Sequence, residues 1–283
     1  MPRPPSPSIP EKEFLFNSLK ESLRLDGRQS LEMRDPVFTF GPDLGWVECA
    51  LGKTRVLAQL DGKMVKPTPE RPLEGIITIN SEISPMASSD YEPGRPSDEE
   101  VTMTRMLDKV LRRSDAIDKE SLCILAGQRV WHLRLTIHCL ADAGNLLDCA
   151  CLAGIVAFRH YRRPEVEVVG EEVIIHHPSE RAPVPLSMHH TPFCFTFAYF
   201  PDPNTPPILD PSHLEQRLSA GLISIALNAQ KELCVIQKAG GVPLSQEQVL
   251  GAIDIAVGKA VELDRIVTQR LEEDWKGRKV EIR

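Results

Sequence analysis

Apolar positions recur along this chain in two periods, and each switch between them marks a new element. Phe14, Leu15, Leu19 and Leu23 fall at helical spacing between Glu11 and Leu23, and the Asp26-Gly27 turn is expected to end that helix. Strand-like runs follow at Val37 to Phe40, Trp46 to Leu51, Thr54 to Leu60 and Ile76 to Ile79, split by glycine turns and a proline-rich loop; they predict a sheet, antiparallel in its first part. Helical spacing returns after Ser97, which forms a capping box with Glu100. Met103, Met106, Leu107, Val110 and Leu111 then line one side of a helix running to about Arg113, while Arg105, Lys109 and Arg112 line another. From Val130 to Leu140 the alternation is clean, with Trp131, Leu133, Leu135, Ile137 and Cys139 on one face. A turn at Asp142 to Asn145 leads into Leu146 to His160, so apolar throughout that it must be buried, against the sheet.

The second half repeats the plan. Short strands are expected near Val166 and Val173, and a new unit begins at about Pro192 with Phe193, Phe195, Phe197 and Tyr199 alternating along a strand as a core face. Asp210 and Pro211 look like the cap and first residue of a short helix carrying Leu214 and Leu218. Leu222 to Leu227 and Leu233 to Gln237 pair as strands closed by Gly240-Gly241, and Ser245 with Gln248 opens a last helix of about seven turns. Two units of strands followed by a long helix predict an α+β body of sheets packed with long helices. Prolines crowd Met1 to Pro10 into an unstructured lead, and the body divides into residues 11–187 and 188–283.

Composition narrows the function more than the fold. No apolar run approaches the roughly 18 residues of a membrane span. Seven cysteines lie in apolar elements without a C-x-x-C pair, as expected of reduced, buried thiols in a cytosolic or nuclear protein. A net charge of -7 disfavours a free-standing nucleic-acid binder but leaves room for a local basic channel, and basic residues gather at Arg105, Lys109, Arg112 and at Arg159, His160, Arg162, Arg163. Cations at a helix C-terminus are favoured by its dipole, so the second group needs no ligand. H-E-x-x-H, G-x-x-x-x-G-K-S/T and G-x-S-x-G are all missing. His176-His177 and His189-His190 are weak metal candidates, because neighbours on a strand point to opposite faces. Neither a cofactor nor a metal is expected. Turns, caps and the helix dipole account for Asp142, Asp148 and Asp210, and with Glu215 their spacing alone specifies nothing.

In order and spacing, Leu25-Asp26-Gly27-Arg28, Gly52-Lys53-Thr54-Arg55-Val56-Leu57, Glu92-Pro93-Gly94-Arg95, Ala141-Asp142-Ala143-Gly144-Asn145 and Leu209-Asp210-Pro211 with Glu215 resemble the RNase PH family, from about Leu23 to about Lys259. The resemblance implies the ribosomal-protein-S5-domain-2-like α/β type of fold, and an activity in which phosphate attacks the last 3′ phosphodiester of RNA. Active members hold that phosphate with an arginine in a G-G-T-R-T loop and complete the site with acids in a D-x-x-x-x-E-D segment. Here Leu146 stands at the arginine's place; Asp210 and Glu215 match the later segment, but Gln216 replaces its final acid. Leucine gives phosphate none of the charged hydrogen bonds, roughly 1.5 to 3 kcal/mol each, that an arginine fork supplies. Glutamine can neither take up a proton nor carry charge.

Within the family this pattern is similar to a catalytically silent ring subunit of the eukaryotic RNA exosome. The partners so implied are related ring subunits, S1/KH-domain caps, hydrolytic ribonucleases and single-stranded RNA, in nucleus, nucleolus and cytoplasm, with no membrane. Only a channel-facing surface would then need to be basic, and Arg95 joins Arg105, Lys109 and Arg112 as its candidate residues. The alternatives are a scaffold that never touches RNA, an active phosphorolytic nuclease, and an unrelated small-molecule enzyme with a concave polar site.

Overall fold

The computed structural model describes residues 7–278 apart from Ser89, Pro93, Arg95, Glu171, Pro178, Ser179, Pro203, Asn204 and Val242. Arg95, most of the proline-rich lead and the last residues therefore lie outside the described residues.

Helix α1 (Ile9–Lys20) takes in Ile9 and Pro10, which the sequence had assigned to the lead. Ser8 is the reason: its hydroxyl accepts from Glu11 N, and Glu11 in turn accepts from Ser8 N at 2.8 Å. Pro10 costs nothing in a first turn, where its missing N–H would have had no partner. The helix stops at Lys20, short of Leu23, and buries Leu15 and Leu19 while Phe14 stays exposed.

Strands β1 (Pro36–Phe40), β2 (Trp46–Leu51), β3 (Thr54–Val65) and β4 (Ile76–Ile83) precede helix α2 (Asp98–Leu107), whose cap Ser97 accepts from Glu100 N. The helix runs on as a wider π-type stretch, Asp108–Arg113, before β5 (Cys123–Leu125) and β6 (Arg129–Ala141). The first sheet has the order β1-β2-β3-β6-β4, with β5 beside β6. Its pairs are antiparallel except β4 with β6, which lie parallel because α2 carries the chain across between them. The alternating apolar side chains of β6, Leu133, Leu135, Ile137 and Cys139, are fully buried.

Helix α3 (Leu146–His160) occupies the expected residues and packs on β2, β3 and β6. After β7 (Arg162–Arg163), the hairpin β8 (Val166–Val169) with β9 (Glu172–Ile175), and β10 (Val184–Pro185), the second sheet forms from β11 (Phe193–Tyr199), β12 (Ile208–Leu209), β13 (Gly221–Leu227) and β14 (Leu233–Gly240), in the order β12-β11-β13-β14. Helix α4 (His213–Leu218) lies between β12 and β13 in sequence, and α5 (Gln246–Gly277) closes the chain.

Three expectations change here. Strand β11 is buried on both faces, because Thr196 and Cys194 meet α3 while the phenylalanine face belongs to the core that α5 joins. The β13–β14 hairpin is closed by Asn228 and Glu232, joined through Glu232 N to Asn228 Oδ1 at 2.8 Å, and Gly240 is the end of β14. Helix α5 is 32 residues long and buries Ala252, Ala256 and Ala260, small residues that let it lie close on β11 and β13, together with Leu263 and Val267. Its far end is held by Arg278, which donates to Gly41 O at 2.6 Å and Pro42 O at 2.9 Å, and by Trp275 under the Arg162 guanidinium.

Candidate functional site

The functional candidates converge where β6 hands over to α3. Asp142 shapes the turn by accepting from Gly144 N at 2.8 Å. Gly144 has φ of 96°, and a Cβ there would strike the backbone of Pro211 to His213, so only glycine lets the two segments touch. Ala143 O accepts from His213 N at 3.0 Å across that contact. Asn145, with φ of 58°, caps α3. A helix N-terminus of this kind offers N–H donors and partial positive charge to an anion. Here the Asn145 N–H donates to Gln216 Oε1 at 3.0 Å, so a neutral amide of the protein itself takes one of those donors. Leu146, at the position the resemblance gives to a phosphate-binding arginine, is buried against the cleft with 9% exposure.

Beneath this lies a polar core that sequence reasoning largely missed. Asp210 is fully buried and receives Arg34 at 2.6 Å, Arg28 at 2.9 Å and the Asn145 amide at 2.7 Å. Burial would raise its carboxyl, but the hydrogen bonds and charge of Arg34, with Asn145, outweigh burial and hold it below the usual carboxylate range. Asp210 is thus an ion-pair anchor, and not the expected cap of α4. Ser212 fills that place, forming a capping box with Glu215. Glu215 is equally committed: Arg24, with a side chain wholly out of solvent, grips it at 2.7 and 3.0 Å. Arg34 also donates to Gly144 O and Thr54 Oγ1, both at 3.0 Å, tying the turn to β3. Asp148 accepts from Asn145 Nδ2, Thr196 N and Thr196 Oγ1, which links α3 to β11; burial pushes its carboxyl up to about 7. Arg28 and Thr54 stand in the resembling motifs, but nothing in the hydrophobic pattern distinguishes Arg24 or Arg34 from surface arginines.

Above the core opens a cleft of about 560 Å³ between α2, α3, α4 and the second sheet. Leu146 and Gln216 both line it, with Met103 and Met106 from α2. Arg105, Lys109 and Arg112 lie outside the lining and in differing states. Arg105 is exposed with no hydrogen-bond or ion-pair partner among the described residues, Lys109 donates to Gln237 on β14 at 3.0 Å, and Arg112 is paired with Asp108. The second basic group is spent on the fold: Arg159 pairs with Asp264 at 2.9 Å, His160 faces Asp274, Arg162 covers Trp275 and Arg163 binds Ser121 O. Among the described residues no three His, Cys, Asp or Glu side chains converge as metal ligands, and no helix is long and apolar enough to cross a membrane. His176 faces Glu167, and His190 faces Ser114 O.

Comparison with known proteins agrees with this architecture. Residues 32–164 match the 3′ exoribonuclease family, domain 1, and residues 190–259 match its domain 2. The human exosome complex component RRP45 is 45% identical over 269 residues, covering 95% of this chain and 61% of that protein. The rrp45 exosome component of Schizosaccharomyces pombe is 43% identical over 267 residues, covering 94% of this chain and 91% of its own. The chain therefore spans less than two thirds of the human relative's length but most of the yeast one's. A structure described as the Archaeoglobus fulgidus exosome with RNA bound to the active site superposes with a TM-score of 0.76 at 27% identity, over 90% of this chain and 96% of that one. An archaeal exosome core gives 0.73 at 24% identity and shows the fold alone. With both family domains present in order on an α+β RNase PH-like fold, the chain belongs to the RNase PH family of 3′ exoribonucleases.

Proposed function

We propose that this chain is a non-catalytic subunit of an exosome-type ring of RNase PH-like proteins, helping to enclose single-stranded RNA during 3′-to-5′ processing. The observation that carries the proposal is the pairing of Gln216 with the N-terminus of α3 beside Leu146. Phosphate placed there would lose water, meet Leu146 where the family's loop has an arginine, and compete with a hydrogen bond already made; Gln216 has no carboxylate to serve as acid, base or metal ligand. Asp210 and Glu215 cannot substitute, since arginines neutralise both. The exosome component names of the relatives support the assembly, and with it ring neighbours and S1/KH-type caps as partners. Arg105, exposed, and Lys109 are the charges we assign to RNA phosphate, a reading that their spacing on one side of the helix supports.

The test is to incubate the pure chain with a 3′-labelled oligoribonucleotide and inorganic phosphate. No nucleoside diphosphate should be released. Phosphate-dependent release at an enzyme-like rate, following this polypeptide through a second column, would overturn the proposal.

A further inference from the structure

The cleft that lacks phosphate chemistry is not featureless. Its floor is apolar, from Ile83, Met103, Met106, Leu146, Leu147 and Leu222. One lip carries Asp90, Asp98, Glu99 and Asp142, none of which has an ion-pair partner among the described residues. Arg217 and His213 also line the cleft, His213 next to Asp142 through the bond from His213 N to Ala143 O.

A further detail points to the same ligand chemistry. The Tyr91 hydroxyl lies 3.0 Å from Glu99 Oε2 and 2.9 Å from Asp142 Oδ2, yet it has one hydrogen to give, so one carboxylate oxygen is left with acceptor capacity. The unmet demand is thus for hydrogen-bond donors and positive charge beside an apolar floor. RNA brings phosphates to such a lip at a cost. A bare cation would leave the floor unfilled.

We propose that this cleft is a docking site for a short partner-protein segment carrying apolar side chains interleaved with lysine or arginine. The apolar side chains enter over Met103, Met106 and Leu146, and the cations meet the carboxylates of the lip. The volume lies within the roughly 300 to 1,000 Å³ typical of ligand sites and suits a few side chains rather than a folded surface. The proposal rests on the cleft being non-catalytic, and it assigns a use to the space that lost phosphate chemistry leaves.

The test measures fluorescence anisotropy of the full chain with a capped, labelled peptide Ser-Leu-Lys-Leu-Arg-Ser. Two comparison peptides replace either its basic residues by glutamate or its leucines by serine. Saturable binding in the micromolar range is expected for the first peptide alone. The double substitution Asp98→Asn with Glu99→Gln, on exposed positions that leave the core intact, should weaken it about tenfold. Leu146→Arg, which puts charge into the floor, should abolish it. Should Leu146→Arg fail to fold, as judged by its thermal melt, the lip variant decides alone. Absence of saturable binding, equal binding of the acidic peptide, an unaffected lip variant, or displacement of the peptide by oligoadenylate would each overturn the proposal. Phosphorolysis is assayed separately, so a chain inert toward RNA that ignores the peptide loses only the docking site.

Discussion

Asp210 and Glu215 keep the acidic character of the family's segment, but at residue scale each has become an electrostatic anchor. Leu146 and Gln216 could be recognised in the sequence because a motif fixes what should stand at those positions. Arg24, Arg34 and the Asn145 bridge could not, since a buried arginine and a surface one look alike until the partner across the fold is known. Asp148 gives this core a measurable signature. Its carboxyl is raised by burial to about 7, above its value in an unfolded chain, so the folded state binds the extra proton between those limits. Its contribution to stability is complete below about pH 4 and is lost as pH rises through 7. Asp210, depressed by Arg34, acts in the opposite sense, and only in acid. Urea unfolding from pH 5 to 7.5 should therefore show the wild-type chain losing stability relative to Asp148→Asn as pH rises, by up to roughly 1 kcal/mol per pH unit, while His132 and His160, lowered by burial, act in the opposite sense in both proteins. Asp148→Asn should remove that slope, whatever it does to stability overall. An unchanged slope in the variant would mean that Asp148 is already ionised at pH 5.

Among elements, those with strong periodicity were the most legible. Helix α3 and strand β2 fall on the residues expected from their patterns. Errors came where a few polar atoms decide a boundary: Ser8 starts α1 early, and Ser212 displaces Asp210 as the cap of α4. The double burial of β11 depends on α3 and α5 arriving from distant parts of the chain, which alternation cannot reveal. The basic side of α2 is a further case, for its spacing predicts three equivalent cations while Arg112 is in fact tied to Asp108. Each phosphate neutralised on single-stranded RNA contributes about 0.7 to the log-log salt slope. Replacing Arg105 and Lys109 by alanine in the assembled ring should lower the slope by about 1.4 without changing the ring's mass, and Arg112→Ala should change it little. Filter binding of single-stranded RNA across a salt series checks both. Wild-type slopes in every variant would favour a scaffold that never touches RNA.

At the scale of the whole molecule, the two sheets and the helix between them followed from the repeated plan of strands and long helices. The parallel placement of β4 against β6 did not, because strand order is set by which crossover packs and leaves no local mark. Among the described residues, the outer strands β1 and β14 each have a strand neighbour on one side only. β1 presents Val37, and β14 presents Leu233 and Ile236, all exposed, beside backbone edges with no strand partner among the described residues, of the kind that invite another chain. Ring neighbours would cover such edges, and membership of a ring is the central claim. It is tested most directly by native mass measurement of the chain co-expressed with related RNase PH-like subunits and S1/KH-type caps. The account predicts a stoichiometric hetero-oligomer containing this chain; a monomer that ignores every related subunit would contradict it.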